Sequence, residues 1–82
     1  PVFNEVNIYF YNEKHQDVTC WIINMNGITV ARTNHRAEQV GLACISVSVT
    51  HMGSGTYLYL LNAGKNQYRG RFIKQPGPGN RP

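Results

Sequence analysis

His15, His35 and His51, taken with Glu5, Glu13 or Glu38, are the residue types from which a general base and a general acid are made, as in a small secreted ribonuclease. Their placement argues against that chemistry. All three histidines fall in stretches that read as turns or loops, and no spacing brings two of them together. Ser46 and Ser48 lack the Gly-x-Ser-x-Gly elbow of a serine nucleophile and alternate as the water face of a strand does. A cysteine nucleophile beside Trp21 has no supporting pattern either. Cys20, Cys44 and the scattered histidines fit no zinc-ligand spacing. The expectation is a non-enzymatic chain with no catalytic residue, metal or cofactor.

The other chemistry on offer is basic and aromatic. The net charge of +4 is unevenly placed. All four acids (Glu5, Glu13, Asp17, Glu38) lie in the first 38 residues, with Lys14, Arg32 and Arg36. The remainder holds Lys65, Arg69, Arg71, Lys74 and Arg81 and no acid. Such a one-sided field attracts an anionic partner. Lys65, Arg69, Arg71, Lys74, Tyr57 and Tyr59 are therefore the expected partner-binding residues. An acidic protein surface is the first candidate partner. Nucleic acid is the alternative, because basic residues interleaved with Tyr57, Tyr59 and Tyr68 on an open sheet or in a barrel groove could hold phosphates and stack bases. No ribonucleoprotein or cold-shock signature accompanies them. The plainer reading is an aromatic core with a charged edge, since Lys and Arg also protect exposed strands.

The elements that must carry these residues are strands. Asn26-Gly27 lies between two β-rich runs and predicts a hairpin with a two-residue type I′ turn, where both central residues need positive φ. Its first strand, Val18 to Met25, is apolar on both faces and holds Cys20 and Trp21, so it is covered on both sides or has Trp21 over a partly open face. Its second runs from Ile28 to about Arg32. Val6 to Tyr11 alternates as an earlier strand, with Val6, Ile8 and Phe10 on one face. The polar stretch 33–41 reads as a loop or one short helical turn. Ala43, Ile45, Val47 and Val49 form the inward face of a fourth strand, with Cys44 on the serine face. Thr56 to Leu61 and Tyr68 to Lys74 are the last two strands, joined by a loop over 62–67. Gly70 inside the last one implies a bulge, a bend or the close approach of another backbone. Six short strands with no convincing helix predict an all-β domain over 1–74, either a small six-stranded antiparallel sandwich or a partly open barrel, followed by a Pro/Gly tail over 75–82.

A domain of 82 residues has a thin core and benefits from a staple. A Cys20–Cys44 disulfide would close a loop of about 25 residues, worth roughly 3 kcal/mol on the chain-entropy model. Two free thiols are the other possibility. No apolar run reaches the roughly 18 residues a membrane helix needs. The chain starts at Pro1 without a leader, which fits a secreted fragment whose signal peptide has been removed or a trimmed stretch. A secreted monomer is expected. Ser54-Gly55-Thr56-Tyr57 is similar to the stretch ahead of the last core cysteine of immunoglobulin domains, but Tyr59 stands where that cysteine would be.

Six short strands, two cysteines, a secreted start, a body of about 70 residues and a polar tail together resemble the MAX effectors of plant-pathogenic fungi, which are small β-sandwich avirulence and toxin proteins. The likeness covers residues 6–74 and rests on size, strand number and cysteine number. It implies a virulence or avirulence effector moved into a plant cell. It further implies a host protein as partner, such as a small heavy-metal-associated domain met edge to edge by strand addition.

Overall fold

The computed structural model describes residues 4–76. Six strands make two antiparallel sheets: β1 (Glu5–Asn12), β2 (Gln16–Ile23), β3 (Thr29–Ala37), β4 (Gly41–Ser48), β5 (Gly55–Ala63) and β6 (Asn66–Lys74). One sheet is the pair β1-β4, and the other runs β3-β2-β5-β6. The sheets stack without closing into a barrel. The expected Pro/Gly tail lies, from residue 77 on, outside the described residues.

Alternation decides what each sheet buries, because successive side chains on a strand point to opposite faces. β1 sends Val6, Ile8, Phe10 and Asn12 inward, and β4 sends in Ile45 and Val47, continued by Val49. The four-stranded sheet meets them with Val18, Cys20 and Ile22 of β2, Ala37 of β3, Tyr57, Leu61 and Ala63 of β5, and Phe72 of β6. Tyr57 and Phe72 stack at 5.7 Å between centroids, and Phe10 meets Tyr68 at 6.0 Å across the two sheets. The buried Asn12 is satisfied: its side-chain N–H donates to the Gln39 carbonyl at 2.9 Å, and its oxygen accepts from Gln16 Nε2 at 2.8 Å.

Three local expectations are corrected. The hairpin β2–β3 exists, but its turn is not type I′. Gly27 N–H donates to the Asn24 carbonyl at 3.0 Å, and of the pair Asn26-Gly27 only Gly27 has positive φ, at 83°. This is the pattern of a three-residue loop in which the glycine follows an ordinary turn. Asn24 Oδ1 accepts from the backbone N–H groups of Asn26 and Ile28, which fixes it further. The second correction is to 33–41: β3 continues to Ala37, paired with β2 from Asp17↔Arg36 through Trp21↔Arg32. Third, Gly70 marks the close approach of a side chain, not of backbone. The Tyr59 ring lies over it, and a Cβ there would come within 2.6 Å of the tyrosine Oη.

The cysteines are not bridged. Cys20 lies on the inner face of the four-stranded sheet, whereas Cys44 sits opposite Tyr9 on the outer face of the two-stranded one. Parity thus points the two thiols in different directions, and the predicted disulfide is withdrawn.

Candidate functional site

The outer face of the four-stranded sheet carries the basic and apolar residues that stay in reach of a partner. Because Val18, Cys20 and Ile22 turn inward, Thr19, Trp21 and Ile23 turn outward. The same parity on β5 turns Leu58 and Leu60 outward, and on β6 Arg69, Arg71 and Ile73. The register then sets these side chains in rows. Arg32, Trp21, Leu60 and Arg69 follow one another across β3, β2, β5 and β6. Ile23, Leu58 and Arg71 form the neighbouring row.

The result is an apolar stripe two strands wide with guanidinium groups on both flanks. Trp21, Ile23 and Leu60 are half-buried, and Leu58 is exposed. The Arg32 guanidinium carbon stands 6.0 Å from the Trp21 ring centroid, a cation–π distance. A shallow groove of about 320 Å³ lies among Ile23, Leu58, Leu60, Arg69 and Arg71.

The acids are elsewhere. Asp17 and Glu38 engage Arg36 at 3.5 and 3.4 Å, at the far end of the sheet, and Glu38 also lies 3.9 Å from His15. Among the described residues Arg32, Arg69 and Arg71 have no acidic partner within ion-pair distance.

The expected binding group is divided. Arg69 and Arg71 stand together as the sequence implied. Tyr57 and Tyr59 point to the opposite side of the sheet, Tyr57 being buried with its hydroxyl donating to the Gly53 carbonyl at 2.8 Å. Lys74 also faces inward, and its ammonium donates to the Gln75 carbonyl at 2.8 Å. Lys65 sits in the β5–β6 turn, in a surface depression shared with Glu13 and Lys14. The β5–β6 register sets Tyr57 opposite Phe72 and Tyr59 opposite Gly70, so these tyrosines share a face with Phe72 and not with Arg69 and Arg71. The sheets close no barrel groove for nucleic acid, and on the open sheet the tyrosine side chains turn to the face opposite Arg69 and Arg71.

Sequence reasoning missed Arg32, Ile23, Leu58 and Leu60. The available signal was the second apolar face of β2. His35 and His51 are exposed on β3 and after β4, apart from the His15–Glu38 contact. Among the described residues no group of three His, Cys, Asp or Glu could hold a metal. Burial pushes the Cys20 thiol up to about 11, which keeps it protonated and a poor nucleophile at neutral pH.

Comparison with protein-family models matches residues 1–75 to the secretion system C-terminal sorting domain. No curated protein and no solved structure matches. This match overturns the likeness to fungal MAX effectors. The effector, avirulence and plant-host readings fall with it, and the resemblance no longer carries the heavy-metal-associated partner. Size, strand number and two cysteines are shared by many small two-sheet domains and do not separate one family from another.

Proposed function

The chain belongs to the family of secretion system C-terminal sorting domains, and from that premise we propose that it is a non-enzymatic export signal in folded form. Its protein is exported. The family is that of sorting signals of bacterial secreted proteins, in type IX secretion. A sorting domain acts on the polypeptide that carries it, so its task is recognition: it presents a surface that the export apparatus reads. The observation that carries this is the extent of the match, which takes in all six strands. The separation of the three histidines supports a binding role over a catalytic one.

The test is a reporter protein fused ahead of residues 1–82, expressed in a bacterium with a type IX system. Reporter is expected outside the cell or on its surface for the fusion and inside for the reporter alone. Val18→Asp, which buries an unpaired carboxylate in the core, should abolish export by unfolding the domain. Retention of the wild-type fusion inside the cell would refute the reading.

A further inference from the structure

We propose that the outer face of the four-stranded sheet, the Trp21/Ile23/Leu58/Leu60 stripe between Arg32 and Arg69/Arg71, docks a protein surface of the export apparatus that projects an apolar side chain between carboxylates. This rests on the sorting function above and names the surface that function uses. Three features specify the occupant. First, the flanks are guanidinium groups, which bind carboxylates in bidentate geometry. Arg32 on β3 and Arg69 on β6 stand three strand spacings apart, roughly 14 Å, so the acids must lie on both sides of whatever fills the middle. Second, the arginines lack acidic neighbours within ion-pair distance among the described residues, so a partner's carboxylates would face no internal competitor. Third, the middle is a shallow groove lined by half-buried Ile23 and Leu60 and exposed Leu58, and the arginines beside it are themselves exposed. A groove receives a side chain from a partner. Insertion into a lipid layer would require the reverse relief, apolar groups standing proud of recessed charges. A second copy of the chain is a poor fit, because a two-fold contact on this face would bring the cationic flanks of both copies together without acids between them. Trp and Arg, set around a desolvated centre, are also the residues that most often dominate binding energy.

The experiment uses the exporting fusion. Leu58 is replaced by the photocrosslinker p-benzoylphenylalanine, and Tyr9, exposed on the outer face of the other sheet, is replaced likewise as the control. In parallel, Arg32→Glu/Arg69→Glu/Arg71→Glu is compared with Lys14→Glu, which reverses charge in the β1–β2 turn away from the stripe. The expected result is a protein adduct from position 58 and not from position 9, with the crosslinked partner peptide carrying Asp or Glu beside an apolar residue. Export should fall by about tenfold or more in the triple reversal and stay within about twofold in the control, the size expected when rim charges are set against their complement. Unchanged export in a folded triple reversal overturns the proposal. So does a position-58 adduct with lipid or with another copy of the chain, or no adduct there while export proceeds. If the triple reversal does not fold, the crosslink decides alone. Failure of the wild-type fusion to leave the cell would instead defeat the sorting function.

Discussion

Gly70→Ala tests how tightly the inner face is built. The new methyl would meet Tyr59 Oη at 2.6 Å and its Cε2 and Cζ at 2.7 Å, closer than carbon tolerates. The phenol ring is rigid, so it must swing as a unit out of its place against the core. Overpacking of this kind typically costs about 1–3 kcal/mol. Opposing it, alanine in a strand gains about 0.5–1 kcal/mol over glycine from backbone entropy. With a clash near the middle of its range, the loss wins by about 1 kcal/mol, which for a domain of this size lowers Tm by roughly 4–8 °C. The assay is thermal unfolding followed by circular dichroism, run as a double-mutant cycle with Tyr59→Ala. Once the ring is gone, Gly70→Ala should become neutral or stabilising, giving a coupling of about 1–2 kcal/mol. A wild-type background in which Gly70→Ala raises Tm would refute the reasoning, because entropy would then outweigh a clash that is not there.

Gly27→Val should cost about 1 kcal/mol or more in chemical denaturation, since φ is 83° there, whereas Asn26→Ala should stay within about 0.5 kcal/mol; comparable losses at both would restore the two-residue turn. Under denaturing, non-reducing conditions two thiols should titrate, and in the native state iodoacetamide should modify Cys44 ahead of Cys20, as read by intact mass; an oxidised mass would contradict the unpaired cysteines. The buried Cys20 thiol has its folded pKa raised from 9.0 to about 11, so its contribution is fully present below pH 9 and is lost as pH rises toward 11. Denaturation midpoints of wild type should accordingly fall more steeply than those of Cys20→Ala across that window, and parallel slopes would count against it. Asn12→Ala should destabilise by about 1–3 kcal/mol in urea, because it strands the Gln39 carbonyl and Gln16 amide that Asn12 satisfies; no change in the midpoint would mean water replaces it freely.

Strands with one dry face were legible because alternation writes them directly: Val6, Ile8 and Phe10, or Ile45, Val47 and Val49, admit no other period. From sequence β3 reads as ending at Arg32, because 33–37 is polar apart from Ala37 and an edge strand needs few apolar residues. The fold class needed only the count of such runs. The binding face needed their order in space. That β2 lies between β3 and β5 is a long-range fact that no local spacing encodes, and without it Trp21 has no Leu60 beside it and Arg32 no place on the flank. The arginine and tyrosine grouping failed because the β5–β6 register pairs Tyr57 with Phe72 and Tyr59 with Gly70, which leaves Arg69 and Arg71 on the other face.

The strand order also bears on how quickly the domain can assemble. Only β2–β3 and β5–β6 close locally, as hairpins. β1 must find β4, so that residues 5–12 meet residues 41–48, and β2 must wait for β5 before its second edge is covered. Each of those joins spends loop entropy before contacts repay it, and sheets of such connectivity fold in roughly milliseconds to seconds, slower than helical bundles. Until β5 arrives, Val18, Cys20 and Ile22 keep an open flank. A chain synthesised only as far as Gly53 would therefore hold the β2–β3 hairpin without a partner, and its unpaired edge and wet core face are what a holding chaperone would have to shield in the interval before export.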